Sequence, residues 1–97
     1  MAAYMIVEVE TTDETLMAEY RKLTPGLIAK FGGKFIVRGG TTHTLEGGWN
    51  PGRIVVIEFP DMQAAQHFYY SPDYQPALEM RLKAGHSKAI LVDGHNG

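Results

Sequence analysis

The sequence contains no cysteine. That excludes disulfide frameworks, thiolate nucleophiles and thiolate metal sites together, and it fits a reducing compartment. No apolar run approaches the roughly 20 residues needed to cross a bilayer, so a membrane is not an expected partner. The N-terminus has neither the basic start nor the long apolar stretch of a signal peptide, which makes a cytoplasmic location the expectation. An excess of one charge sign is missing as well. Nine Lys and Arg stand against eleven Asp and Glu, interspersed, for a net charge of −2. No broad positive field would draw in a phosphate backbone, and nucleic acid is not expected to bind. Tryptophan occurs once, at Trp49.

What remains is ordinary globular material. The 97 residues are 44% hydrophobic and 21% charged, enough for one domain over 1–97 with a tail from about residue 94. Residues 3–10 are rich in strand formers and alternate toward their end. Thr12 or Asp13 can cap a following helix, whose stripe is Leu16, Tyr20, Leu23, Leu27 and Phe31. Thr24-Pro25 predicts a kink there, or two consecutive short helices. Gly32-Gly33 ends the segment. A second strand follows over 34–38, then a long glycine-rich connection over 39–52 in which 42–46 can continue the ladder. A third strand covers 53–59. Asp61 can cap a helix carrying Ala65, Phe68 and Tyr69, and Ser71-Pro72-Asp73 starts another with Tyr74, Leu78 and Leu82 on its apolar stripe. Gly85 closes that helix, and a last strand spans 88–92.

The order is β-α-β-β-α-β with the second helical segment broken in two. Right-handed crossovers fold it into an α+β, ferredoxin-like, four-stranded antiparallel sheet with helices on one face. Alternation assigns Met5, Val7, Val9, Phe35, Val37, Val55, Ile57 and Phe59 to the face under the helices. Tyr4, Ile6, Glu8, Lys34, Ile36, Arg38, Ile54, Val56 and Glu58 fall on the open face. A solvated face reads mostly polar. Here Ile6, Ile36, Ile54 and Val56 form an aliphatic cluster of the kind that marks an interface, and the expected partner is a second copy packed face to face. Glu8 with Arg38 at one end, and Lys34 with Glu58 at the other, are expected charge pairs.

Several stretches in combination resemble a known family: Phe31 to Gly40 (FGGKFIVRGG), Leu45 to Arg53 (LEGGWNPGR), Val56 to Pro60 (VIEFP) and Ser71 to Tyr74 (SPDY). They resemble the domain of unknown function 1330 family over roughly residues 4–93. The resemblance implies the dimeric α+β barrel superfamily and the same face-to-face homodimer. It implies no reaction. The wider superfamily includes cofactor-independent monooxygenases, haem-degrading enzymes, muconolactone isomerase-like proteins and stress-response proteins, and fold analogy alone does not choose among them.

Candidate chemistry is sparse. Arg38, followed by Gly39-Gly40, can hold a carboxylate or enolate oxygen, or pair structurally with Glu8. Arg53 can bring a second positive charge to the same end. His43 in the connection can serve as acid or base near neutral pH, or be an exposed loop histidine. Trp49 is a lid over a pocket or, on the preferred reading, a buried plug anchoring the loop. Of Tyr69, Tyr70 and Tyr74, two are expected in the core, leaving one hydroxyl for a cavity; Tyr74 is the ligand-binding candidate. Glu58 is a base if burial raises its pKa, or the partner of Lys34. No histidine spacing forms a local metal motif, and no cofactor is called for. RNA-recognition aromatics are absent from the third strand. Two functions fit: binding or transforming a small anionic or enolisable molecule in a dimer-interior pocket, or a non-catalytic stress-response or ligand-binding dimer. The expected site is the sheet end where Arg38, Gly40 and Arg53 converge with His43.

Overall fold

Strand propensity and helix caps divide the chain into seven elements. In a computed structural model, which describes residues 1–96, these are β1 (Ala3–Thr11), α1 (Glu14–Lys30), β2 (Lys34–Arg38), β3 (Arg53–Phe59), α2 (Met62–Tyr70), α3 (Gln75–Ala84) and β4 (Gly85–Asp93). The strands form one antiparallel sheet in the order β2-β3-β1-β4, the ferredoxin-like arrangement expected. Asp13 and Asp61 cap α1 and α2 by accepting from the Leu16 and Ala64 amides, each satisfying an otherwise unpaired donor. No helix is long and apolar enough to cross a membrane among the described residues.

β1 alternates buried and half-buried along its length, so one face of the sheet lies under the helices. Met5, Val7, Val9, Ile57 and Phe59 from that face join Met17, Ile28, Phe68, Tyr74 and Leu78 in one core. Phe68 and Tyr74 stack with centroids 4.3 Å apart, which welds the two short helices together.

Four details depart from expectation. The first decides where the site lies. Phe35 pairs with Ile57, but Val37 pairs with Val56 and Arg38 with Val55, so Ile36 is an extra residue in a β-bulge. A one-residue insertion exchanges the faces of everything after it. Val37 therefore joins the open face, and Arg38 turns under the helices.

The second is α1, which runs unbroken through Pro25. Proline cannot donate to the carbonyl four residues back, that of Arg21. Arg38 Nη2 approaches this oxygen at 3.4 Å and supplies a replacement donor. The third is that β4 begins not at Lys88 but already at Gly85, which closes α3 as expected. A Cβ there would lie 2.1 Å from the Glu10 carbonyl oxygen, so only glycine allows the close pairing with β1. Residues 42–46, fourth, carry no strand, and the connection over 39–52 is irregular.

Candidate functional site

The helix stripes are rotated from the simple apolar pattern, and the rotation builds a pocket. In α3 the buried face is Ala77, Leu78, Arg81 and Ala84, while Leu82 is exposed. In α1 it is Met17, Thr24 and Ile28, with Leu23 exposed. Arg81 and Thr24 thus point inward where leucines would be conventional. Between these two helices and the sheet lies a cavity of about 40 Å³, walled by apolar side chains such as Met5, Val7, Val9 and Met17. Its ionisable lining consists of Arg21, Arg38, Arg53, Arg81 and Tyr20.

The guanidinium groups are held by backbone and rings more than by carboxylates. Arg38 lies over the Phe35 ring with its Cζ 4.3 Å from the centroid, a cation–π contact. Arg53 Nη2 is 3.5 Å from the Arg38 carbonyl oxygen, at the limit of a hydrogen bond. Gly39 permits this crossing: its φ is +72°, and a Cβ would lie 2.5 Å from Arg53 Cζ. Arg21 pairs with Glu14. Among the described residues, no carboxylate forms an ion pair with Arg38, Arg53 or Arg81. Partial burial pushes the Arg53 guanidinium below its ordinary pKa, and the charges of Arg21 and Arg38 push the same way. Arg38 and Arg53 are thus held close with no carboxylate partner among the described residues.

Arg81 is only 2% exposed. Its Nη1 donates to Ser87 Oγ at 2.7 Å, and its Nε has no acceptor. Burial works against its charge, but the neighbouring Tyr74 and Tyr20 hydroxyls outweigh that and raise its pKa. Tyr20 and Tyr74 share a hydrogen bond of 2.7 Å between hydroxyl oxygens. Burial first, and the Tyr74 hydroxyl second, push the Tyr20 phenol well above its usual range, so it stays protonated.

The expected sheet-end site is thus divided. Arg38 and Arg53 do meet, on the helix-covered face. His43 sits across the sheet, in an open groove with Ile6, Trp49, Pro51 and Ile54. The expected Arg38–Glu8 pair does not form, because the bulge separates them by the thickness of the sheet. Glu8 instead accepts from Trp49 Nε1 and the Gly52 amide, each at 3.2 Å, and ties down the end of the loop. Trp49 is 61% exposed and is not the buried plug expected. Its polar edge is engaged, but no core packs around its ring in the single chain. Glu58 pairs with Lys34 at 3.4 Å, as expected, and accepts from the Tyr4 hydroxyl at 3.3 Å. Tyr74 is fully buried, and its hydroxyl meets the pocket lining at Tyr20 and Arg81. Among the described residues no cluster of three or more His, Asp or Glu side chains is placed to hold a metal.

Arg21 and Arg81 escaped the sequence reading, and Tyr20 and Thr24 were read only as a helix-stripe residue and part of a helix interruption. The available signal was in α3: Arg81 stands three residues after Leu78 and four after Ala77, on their face of the helix.

A four-stranded antiparallel sheet in this order, with helices enclosing a cationic apolar pocket, defines a ferredoxin-like α+β protein. The chain belongs to the family described as Domain of unknown function (DUF1330), which it matches over residues 2–95. No curated protein matches it. Similar solved structures include a protein of unknown function from Rhodopseudomonas palustris, 18% identical with a TM-score of 0.77, covering 99% of this chain and 84% of that one. Another is a dimeric ferredoxin-like protein of unknown function from Jannaschia sp. CCS1, 19% identical with a TM-score of 0.73, covering 97% and 100%. A third is SnoaB, a cofactor-independent oxygenase from Streptomyces nogalater, 14% identical with a TM-score of 0.55, covering 99% and 93%. At these identities the likeness concerns the fold.

Proposed function

We propose that this protein binds a small organic anion in the pocket between the sheet, α1 and α3, with Arg38 and Arg53 receiving the acid group. One observation carries the reading: Arg21, Arg38, Arg53 and Arg81 line one apolar cavity, and only Arg21 has a carboxylate partner among the described residues. Unpaired cations at a partly dry surface cost free energy that a bound anion recovers. Apolar walls select a ligand with a hydrocarbon body, and the small volume selects a compact one. Among the described residues the lining holds no carboxylate or imidazole to act as a base at neutral pH, so binding without chemistry is the first reading. The second is chemistry on an enolisable ligand. It is favoured by the same arginines, which would stabilise an enolate oxygen, and by SnoaB's description as a cofactor-independent oxygenase.

The working assembly in this proposal is a homodimer closed over the open sheet face. Ile36, Val37, Ile90 and Val92 are all at least 40% exposed there, beside Trp49 and Leu45. A second copy covers such a face in kind, and the Jannaschia relative is described as dimeric. His43, Glu58 and Trp49 then serve the interface rather than the pocket.

Calorimetry at low salt with butyrate and its neutral amide, butyramide, tests the binding site. Butyrate is expected to bind, to weaken as salt rises, and to lose affinity in Arg38→Met while the dimer persists. Equal binding of butyramide, or an unaffected Arg38→Met, would overturn it.

A further inference from the structure

Arg38 and Arg53 account for one end of the pocket, and the inner end has a charge of its own. Arg81 enters from α3 and is 2% exposed; its Nε–H is buried without an acceptor. Its hydrogen-bonded neighbour Ser87 is neutral. The Tyr20 and Tyr74 hydroxyls beside this guanidinium favour its charge, yet no carboxylate accompanies it among the described residues and one buried donor stays unused. The same end contains a phenol pair. One of the Tyr20 and Tyr74 hydroxyls donates to the other, which leaves one O–H still to be placed. The inner end is therefore rich in donors, and an oxyanion is its complement.

The register separates this end from the first. Arg53, Val9 and Ser87 occupy one row across β3, β1 and β4. Two strand spacings put the backbones of Arg53 and Ser87 roughly 10 Å apart. Val9 stands between them, with Val7 and Met17 completing an apolar middle. Methionine at the wall adapts to a ligand longer than the empty space.

We propose that the ligand is a compact dianion: two acid groups joined by a short apolar span, one at Arg38 and Arg53, the other at Arg81 and Tyr20. The proposal rests on the pocket being an anion site, and its test keeps the two apart. Glutarate and its mono-amide, glutaramate, have nearly the same size and differ by one charge. Calorimetry on the full chain is expected to show glutarate binding about tenfold or more tighter than glutaramate. In Arg81→Met the gap closes while glutaramate keeps its affinity. Should that variant fail to fold, Tyr20→Phe is expected to narrow the gap without loss of glutaramate binding. Equal affinity of the two ligands for the unaltered protein would overturn the dianion and leave the anion site standing. Absence of binding by either would overturn both.

Discussion

Changing Gly39 to alanine perturbs the site through one added methyl group, and its neighbour supplies the control. At Gly39 the backbone has φ +72°, a region that costs an L-residue about 1–2 kcal/mol. The new Cβ would also stand 2.5 Å from Arg53 Cζ, closer than real carbon contacts come. The guanidinium is the free end of a flexible side chain, so it swings away and gives up its 3.5 Å approach to the Arg38 carbonyl. So long a bond adds no more than about 0.5 kcal/mol. Gly39→Ala should therefore destabilise by about 1–2.5 kcal/mol. Gly40 has open space around it and lacks a positive φ. Gly40→Ala should be neutral, or stabilise by up to about 1 kcal/mol by restricting the unfolded chain. Urea denaturation followed by far-ultraviolet circular dichroism measures both. In an Arg53→Ala background the Gly39→Ala cost should shrink by only about 0.5 kcal/mol, because the φ penalty remains. Butyrate affinity should fall in Gly39→Ala and hold in Gly40→Ala. Equal stabilities for the two alanine variants would refute the positive φ at Gly39. An undiminished cost in the Arg53→Ala background would refute the placement of Arg53 across it.

Val56→Asp on the open face should convert a dimer of the 10.8 kDa chain to monomer in sedimentation equilibrium at micromolar concentration; an unchanged dimer would remove the face-to-face assembly. In that monomeric background Trp49→Ala should cost less than about 1 kcal/mol, since the ring is 61% exposed, whereas in the parent it should weaken association. Tyr20 supplies a pH test. Its folded pKa is raised, by burial first and by Tyr74 second, above an unfolded value of 10.0. Its contribution is therefore complete below pH 10 and is lost as pH rises further, by about 1.4 kcal/mol per unit. Tyr20→Phe should remove that slope from urea midpoints measured on either side of pH 10, and parallel curves would contradict the burial of this hydroxyl. Pro25→Ala should stabilise the protein by about 1–3 kcal/mol by restoring a helical donor to the Arg21 carbonyl. The same donor competes with Arg38 for that oxygen, so butyrate should bind more weakly as the protein grows more stable.

The architecture was legible because it depends on local periodicity. β1 and β3 alternate, Asp13 and Asp61 stand before apolar-rich stretches, and Ser71-Pro72 separates two helices; each signal operates within a few residues. The open aliphatic face was legible for the same reason, since Ile6, Ile54 and Val56 keep the period of two. The site depended on longer-range relations. No residue in 34–38 announces that Ile36 is the extra one, because a bulge is defined by the partner strand it fails to match. That single slip moved Arg38 from the open face to the pocket, broke its expected pairing with Glu8 and left His43 on the opposite side. Arg81 was hidden for a related reason: a charged residue next to an apolar stripe reads as its solvated edge until the packing of α1 against α3 turns the helix. The sequence by itself determined the main elements, their order and the aliphatic character of the open face, because backbone periodicity and capping are local. Tertiary structure alone decided which cations share a cavity, because strand register and helix rotation are settled only when distant segments pack.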